Sequence, residues 1–206
     1  MTTVNAKCRQ CRREGTKLFL KGDKCYDKCT LLKRNYIPGQ HGISRRGKPS
    51  DYSLLLREKQ KVKRIYGLRE QQFKNYFLAA AKKKGVTGEM LLTILESRLD
   101  SVVYRMGFAA SRRQAKQLVS HGLFSLNGRR VDIPSIILKP GDKVEALPGK
   151  KGNKYFEQLL ATKQKEEFSW VEVDRKNLKG KFISAPIREQ LDPSIDEQLV
   201  VEFYSK

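Results

Sequence analysis

Apolar residues recur at helical spacing through the middle of the chain and predict three successive helices. The first, over 52–67, can be capped by Ser50 or Asp51 and ended by Gly67. The second, over 70–85, starts with a glutamate and ends with three lysines and a glycine, as the helix dipole favours. The third, over 88–107, has an apolar stripe that we interpret as core packing: Leu92, Leu95, Leu99, Val102, Val103 and Met106.

A shorter helix and a hairpin follow directly. Ser111 and Gln114 have the spacing of a capping box, which predicts a helix over 111–122. The buried side of this helix is formed by Ala115, Leu118 and Val119. Asn127 and Gly128 then favour a type I′ turn between two short strands.

The remaining pattern is weaker. It predicts a strand, a Pro-Gly turn and another strand over 136–147. Beyond residue 148 it predicts a linker with one helix and a strand within 169–174. The tail over 194–206 is apolar enough that we expect it to pack onto another element.

Charge changes this picture more than hydropathy does. The 206 residues include 43 Lys and Arg against 22 Asp and Glu, a formal net charge of +21. Residues 1–64 hold 18 of these cations and only five of the carboxylates, so the N-terminal third is the most basic part. Such an excess favours a polyanionic partner, nucleic acid first and an anionic membrane surface second.

The N-terminus and the hydropathy bear on location. No apolar run approaches the roughly 20 residues that a membrane-spanning helix needs. The first 15 residues lack the apolar region of a secretory signal. We therefore expect a cytoplasmic protein in a reducing compartment, where its four cysteines do not form disulfides.

The helix and hairpin over 110–131 combine these signals, because cations lie at both ends of the segment. The five cations are Arg112, Arg113, Lys116, Arg129 and Arg130. A helix N-terminus offers free N–H groups to phosphate, and arginines beside it add charge-assisted contacts. We predict that these cations face one phosphate backbone; the alternative is a solvated charged surface without a partner. RNA is favoured over DNA because no three-helix DNA-reading module or dimer seam is visible.

The four cysteines form two close pairs, Cys8-x2-Cys11 and Cys25-x3-Cys29, separated by 13 residues. This spacing suits a tetrahedral thiolate site for Zn²⁺, and the surrounding Lys and Arg offset its negative charge. A metal would supply folding free energy to a basic arm that lacks a hydrophobic core. An iron–sulfur cluster is the less favoured alternative, and four unligated thiols are a third interpretation.

Nothing in the sequence predicts an enzyme. Nucleophile, phosphate-loop and metalloprotease motifs are absent, and His41 and His121 are the only histidines. His121 lies at a predicted helix end, where its charged form would interact favourably with the helix dipole or with a phosphate. Glu96 and Asp100, four residues apart on the predicted third helix, fit a solvated or cation-paired face better than a catalytic pair.

The stretch from Glu96 to Val144 resembles a compact α/β RNA-binding domain found in a ribosomal protein, some pseudouridine synthases and other RNA-binding proteins. The rest of the chain narrows this choice. The segments "RREGTKLFLKG", "YIPGQHG", "SDYSLLLREKQKVKRIYG", "KKKGVTG" and "DEQLVVEFYSK" are similar to the bacterial small-subunit ribosomal protein S-four family. That resemblance covers nearly the whole chain. The family has cysteine-bearing and cysteine-free forms, and this chain resembles the cysteine-bearing form.

The resemblance implies an α+β fold in three parts. These are a Cys-rich metal-binding arm over 1–48, a mostly helical domain over 49–95 completed by 183–206, and an inserted α/β RNA-binding domain over 96–182. That inserted domain is expected to have two helices and a small antiparallel sheet.

The resemblance also implies partners. It implies a structural, non-enzymatic protein that binds the five-prime domain of 16S rRNA and nucleates assembly of the 30S subunit. It further implies contact with ribosomal protein S-five, a position beside the channel by which mRNA enters, and a contribution to translational accuracy. A free regulatory RNA-binder and an RNA-modifying enzyme are the competing function classes.

The four cysteines are the expected metal ligands. Two further sets of residues are expected to bind RNA. The residues expected to face mRNA are Arg45, Arg46 and Lys48. The residues expected to bind rRNA are Arg9, Arg12, Arg13, Lys21, Arg34, Gln40, His41, Arg57, Lys61, Arg64, Arg69, Arg112, Arg113, Lys116, His121, Arg129 and Arg130.

Overall fold

A computed structural model describes residues 6–44, 48–150, 154–161 and 168–205. It divides into two compact units: residues 1–74 with 193–206, and residues 75–192. It combines helices with an antiparallel sheet, which confirms the predicted α+β class in its coarse form. The finer three-part division into 1–48, 49–95 with 183–206, and 96–182 stays a prediction.

The first unit begins with three short helices in the basic arm, α1 (Lys7–Glu14), α2 (Lys24–Asp27) and α3 (Thr30–Lys33). A long helix, α4 (Asp51–Ile65), follows, and the Oγ of Ser50 accepts a hydrogen bond from the Ser53 N–H at 3.3 Å. Ser50 is therefore the N-cap, one of the two residues that the sequence offered. Helix α5 (Glu70–Ala81) begins close to the expected position.

The C-terminal helix α10 (Glu197–Ser205) packs on α4, so the prediction that the apolar tail packs onto another element is confirmed. Val200 of α10 and Val62 of α4 are buried. Lys61 Nζ donates to the Ser194 carbonyl at 2.6 Å, and the Lys59 ammonium lies 4.5 Å from the centre of the Phe203 ring. The tail is therefore held by apolar packing and by lysines of α4.

The second unit shows that the predicted helix over 88–107 is wrong as a single helix. The chain forms α6 (Thr87–Glu96) and α7 (Leu99–Arg105) instead. Arg98 between them is extended, with ψ of 142°, and forms an isolated β-bridge with Ile137. Ser97 Oγ also donates back to the Thr93 carbonyl at 2.7 Å. The apolar stripe continues across the break because both short helices bury their faces in the interior.

Helix α8 (Arg112–Ser120) leads into a five-stranded antiparallel sheet of order β2-β1-β3-β5-β4. The strands are β1 (Phe124–Leu126), β2 (Arg129–Val131), β3 (Lys143–Ala146), β4 (Val171–Asp174) and β5 (Lys179–Phe182). Helix α9 (Lys154–Ala161) lies between β3 and β4 in the chain, as predicted. The core of this unit packs α7 and α8 against the sheet through Val102, Val119, Phe124, Trp170 and Phe182.

Two details of the sheet differ from the sequence prediction. The strand expected near 136–139 is wrong, because that segment makes only the single bridge to Arg98. Leu138 donates its N–H to the Ser97 carbonyl, and Leu99 donates to the Ile136 carbonyl, both at 2.8 Å. The segment therefore binds the α6–α7 junction. Strand β5 was not predicted; its sequence, KGKF, is polar and contains a glycine.

Candidate nucleic-acid interface

Helix α8 begins as the sequence predicted. Ser111 Oγ accepts from the Gln114 N–H at 3.3 Å, while Gln114 Oε1 accepts from the Ala110 N–H at 3.0 Å rather than from Ser111 itself. Ala115 and Val119 are fully buried, so the opposite side of the helix faces solvent. Arg113 is on that exposed side, and Lys116 is half-buried.

The hairpin after α8 turns as predicted and exposes its arginines. Asn127 and Gly128 both have positive φ, 50° and 82°, as a type I′ turn requires. Arg129 and Arg130 pair with Leu126 and Ser125 of β1 and are exposed. Both arginines therefore lie on the edge strand β2 and are accessible, although as consecutive residues they project towards opposite faces of the sheet.

Helix and hairpin come together at Gly122, just after α8. A Cβ at this position would lie 2.6 Å from Nε and 2.7 Å from Nη2 of Arg130. The Arg130 side chain thus lies across the C-terminal end of α8, where a cation is favoured by the helix dipole. We call the exposed or half-buried cations and histidine of this region the basic face: Arg113, Lys116, His121, Arg129 and Arg130.

Arg112 differs from the other four cations. Its Nη2 donates to Oε1 of Glu96 at 2.7 Å, and its guanidinium lies 4.8 Å from the centre of the Tyr104 ring. Glu96 is fully buried and also receives Nη2 and Nε of Arg105, at 2.7 and 3.0 Å. Arg112 therefore fastens the first turn of α8 to the end of α6, and its direct contact with RNA stays a prediction.

The predicted arrangement of Glu96 and Asp100 is wrong in one respect. Both carboxylates are buried, and they belong to different helices, α6 and α7. The cation-paired part of the interpretation is confirmed: Arg98 makes two hydrogen bonds to Asp100, at 3.0 and 2.7 Å. These paired carboxylates are structural groups that link helix ends.

The cations of α4 are also paired within the first unit. Arg57 and Arg64 both bind the carboxylate of Glu14, whose side chain is 1% exposed. Burial raises the pKa of Glu14 although both arginines oppose this, and burial lowers the pKa of Arg57. Lys61 binds Glu58 at 2.7 Å. The helix that was expected to offer Arg57, Lys61 and Arg64 to RNA thus uses these cations within the protein as well.

Glu70 binds two further lysines of α4, Lys59 and Lys63, each at 2.6 Å. Burial alone would raise its pKa, but the hydrogen bonds and charges of both lysines lower it to about 2. Tyr204 of α10 donates its hydroxyl to Glu70 at 3.1 Å. Burial, followed by the nearby carboxylate, raises the pKa of Tyr204. Glu70 therefore joins α4 to the C-terminal helix.

The remaining predicted RNA-binding residues lie mostly on the surface. Arg12 is the exception: its Nε donates to the Tyr36 carbonyl at 2.9 Å, and its guanidinium lies 4.5 Å from the centre of the Tyr36 ring. Arg45 and Arg46 lie outside the described residues, and Lys48 is exposed. The exposed members of the rRNA set are Arg9, Arg13, Lys21, Arg34, Gln40, His41 and Arg69.

The four cysteines occupy the three short helices of the arm and their ends. Cys8 and Cys11 are in α1, Cys25 is in α2, and Cys29 is the N-cap of α3. Burial raises the pKa of the Cys11 thiol, and the charges of the other three cysteines add to this. Within the described part of the chain, no three His, Cys, Asp or Glu side chains are arranged to hold a metal ion.

Comparison with known proteins identifies the family. The model of the ribosomal protein S4/S9 N-terminal domain matches residues 3–96, and the S4 domain model matches residues 97–144. Small ribosomal subunit protein uS4 of Thermodesulfovibrio yellowstonii is 57% identical over 201 residues, covering 97% of this chain and 96% of the relative. The chain belongs to the uS4 family.

Two further relatives carry the same name. Small ribosomal subunit protein uS4 of Thermus thermophilus is 54% identical over 205 residues and covers 98% of both chains. That of Clostridioides difficile is 53% identical over 204 residues, again covering 98% of both chains. The uS4 assignment confirms the family resemblance seen in the sequence. The zinc-binding form of the family stays a prediction.

The uS4 assignment also settles the question of catalysis. This is a family of structural ribosomal proteins, so the prediction that the chain is not an enzyme is confirmed by family membership. None of the helices in the described ranges is long and apolar enough to span a bilayer. Sequence reasoning missed the roles of Glu14 and Glu70, since neither spacing nor composition reveals which distant cations a glutamate will meet.

Proposed function

We propose that the chain is a structural protein of the small ribosomal subunit that binds 16S rRNA directly, with the basic face as a principal contact. The uS4 relatives and the S4 domain support the rRNA-binding role. The observation that carries the proposal is the meeting of α8 and the β1–β2 hairpin, where Arg130 lies across the end of α8. As part of the small subunit, the protein acts in the cytoplasm.

The geometry of the basic face suits a folded RNA. Side chains cannot read the deep, narrow major groove of A-form RNA, so proteins bind it through phosphates, 2′-hydroxyls and shape. A rigid helix start and a tight hairpin hold several cations at fixed separations, which favours one folded backbone over a flexible polyanion. Arg112, Glu96 and Arg105 stabilise the first turn of α8, which also carries Arg113.

Within 16S rRNA, we propose the five-prime domain as the binding site. The test is binding of the full-length protein to a transcript of that domain, with a transcript of equal length from another 16S domain as control. We expect much tighter binding to the five-prime domain. Equal binding to both transcripts would contradict a specific site, and association with the small subunit in a lysate distinguishes a ribosomal protein from a free regulatory RNA-binder.

We also propose that the cysteines of the arm bind one Zn²⁺. All four thiols are close enough that the charges of Cys8, Cys25 and Cys29 act on Cys11. The Lys21 N–H donates to Cys25 Sγ at 3.3 Å, and the Leu18 N–H bonds to Cys11. Such N–H donors stabilise thiolates, and four thiolates are a ligand set that suits zinc. Bound zinc would join α1, α2 and α3, which share little apolar core.

Metal analysis tests the zinc proposal directly. We expect about one zinc per chain and no visible absorption band. A brown protein with iron and sulfide would indicate the iron–sulfur alternative. A Cys11→Ser variant should lose the metal, whereas Ser44→Ala, which changes an exposed hydroxyl of the same arm, should retain it.

We further propose that the protein contacts ribosomal protein S-five and mRNA. The support for these contacts is the resemblance to the uS4 family and the exposed position of Lys48, next to Arg45 and Arg46 in the chain. A variant with these three cations replaced by alanine should keep its rRNA affinity but crosslink less to mRNA in assembled subunits. Unchanged mRNA crosslinking would contradict the assignment of these residues.

A further inference from the structure

The arm presents an aromatic pair that its helices do not enclose. The ring centres of Phe19 and Tyr26 are 5.0 Å apart, with 37° between the ring planes. Tyr26 is 46% exposed, and Phe19 is half-buried. Leu18, the residue before Phe19, is buried. The arm therefore uses Leu18 for its interior and leaves the two rings at its surface.

The backbone at Phe19 adds a second observation. Its φ is +48°, in the left-handed region, which a phenylalanine seldom adopts because its Cβ crowds the backbone there. Backbone strain of this kind persists where the surrounding structure fixes it and is often found at binding sites. Here the left-handed residue is Phe19 itself, which directly follows buried Leu18 and carries one ring of the pair, so the strained backbone lies at the ring pair.

The charge around the pair indicates what kind of partner would fit. Residues 6–44 include ten Lys and Arg but only three Asp and Glu, and one of these carboxylates, that of Glu14, is buried against arginines. Lys21, Lys24 and Lys28 are exposed within a few residues of Tyr26 and outnumber the exposed Asp23 and Asp27 of the same segment. An aromatic surface in a segment of net positive charge is complementary to a nucleotide, which combines a flat base with a phosphate. It is a poor match for a neutral apolar surface.

We propose that Phe19 and Tyr26 form a stacking platform for an unpaired base of the bound RNA, while the neighbouring lysines bind its phosphates. This proposal rests on the proposed rRNA-binding function and adds a contact that is not made by charge. A base stacked on Tyr26 would extend the ring pair already present. Since every base has a π face, the platform would recognise an unstacked nucleotide rather than a particular sequence.

Salt dependence separates stacking from charge. Stacking contributes to affinity without releasing counterions, whereas each phosphate contact contributes to the slope of log affinity against log salt concentration. Binding of the five-prime-domain transcript should therefore be measured over a range of potassium chloride concentrations for the wild type and for Tyr26→Leu, Tyr26→Phe and Leu32→Ala. Leu32 is 69% exposed on the same arm and controls for loss of apolar surface.

We expect Tyr26→Leu to weaken binding about fivefold or more, the lower end of what one base–aromatic stack contributes, with an unchanged salt slope. Tyr26→Phe should keep near wild-type affinity because it keeps the ring, and Leu32→Ala should change little. Wild-type affinity in Tyr26→Leu, or equal losses in Tyr26→Leu and Leu32→Ala, would overturn the proposal. If the wild type itself fails to bind with steep salt dependence, the proposed rRNA-binding function fails instead.

A crosslinking measurement on the wild type covers the case in which Tyr26→Leu disturbs the fold of the arm. Zero-length ultraviolet crosslinking of the complex, followed by mass spectrometry, should find a nucleotide attached to Tyr26 or Phe19. A complex whose crosslinks all lie elsewhere would overturn the proposal, as would crosslinks from these rings to a protein in assembled subunits instead of to RNA.

Discussion

Arg112, the first residue of α8, donates a 2.7 Å hydrogen bond to the fully buried carboxylate of Glu96, the last residue of α6. Arg105 of α7 shares the same carboxylate. One buried anion therefore joins three consecutive helices next to the basic face. The sequence shows these three residues only as scattered charges, but their geometry fixes where α8 begins.

Removing this anion should destabilise the protein strongly. Glu96→Ala leaves two largely buried guanidinium groups without their shared partner, and breaking a buried ion pair in this way typically costs about 3–5 kcal/mol. The free energy of unfolding, measured by chemical denaturation, checks this. Glu172→Ala removes an exposed glutamate of β4 and should change stability by no more than about 0.5 kcal/mol. Similar effects of the two variants would show that Glu96 does not hold the helices together.

Gly122→Ala should reduce RNA affinity by moving Arg130. The added Cβ would lie 2.6 Å from Nε of Arg130, so the guanidinium must leave its place across the end of α8. Gly107→Ala is the matched control, because Gly107 also has a left-handed backbone, with φ of +74°, but no atom lies within 4 Å of its added Cβ.

Both glycine variants should lose about 1 kcal/mol of stability from backbone strain, since alanine tolerates positive φ poorly. Only Gly122→Ala should also bind the 16S five-prime-domain transcript more weakly. Equal affinities of the two variants would mean that the position of Arg130 does not matter for RNA.

Glu70 predicts a specific pH dependence of stability. Its pKa is lowered to about 2 by Lys59 and Lys63, against the effect of burial, while an unfolded glutamate titrates near 4.5. The group therefore contributes its full stabilisation above about pH 4.5 and loses it as the pH falls towards 2. Because the carboxylate is nearly half exposed, solvent screening makes this contribution small.

Thermal unfolding of the wild type and of Glu70→Gln over this pH range provides the measurement. The difference in stability between the wild type and Glu70→Gln should decrease steadily as the pH is lowered from 5 to about 2. Glu172→Gln, which changes an exposed glutamate of β4, serves as control and should follow the wild-type curve. A constant difference between wild type and Glu70→Gln would contradict the role of the charged carboxylate.

The parts of the fold that the sequence predicted are those specified by local chemistry. The N-caps of α4 and α8 could be predicted because a serine three residues before the first free N–H groups of a helix is a local sequence signal. The hydroxyls of Ser50 and Ser111 both accept the expected hydrogen bond. Asn127 and Gly128 were recognised because few other residues tolerate two positive φ values in succession. The cationic helix and hairpin could therefore be located before the structure was known.

The parts that could not be predicted depend on distant contacts. The spacing of apolar residues does not reveal the break between α6 and α7 at Ser97 and Arg98, because the apolar stripe continues on both sides of it. The break is fixed by hydrogen bonds to the segment around Ile137. Strand β5 is defined by its neighbours β3 and β4 rather than by its own composition. Likewise, no local pattern shows that Glu14 meets Arg57 and Arg64 more than 40 residues later.

The salt dependence of RNA binding tests the central claim that the basic face neutralises phosphates of 16S rRNA. The variant Arg113→Ala/Arg129→Ala/Arg130→Ala should bind the five-prime-domain transcript more weakly and with a slope smaller by about two, since each phosphate contact contributes roughly 0.7–0.9. A variant with Lys82, Lys83 and Lys84 changed to alanine removes three exposed cations of the same unit as control and should largely keep the wild-type slope. An unchanged slope in the first variant, or an equal decrease in both, would contradict the account.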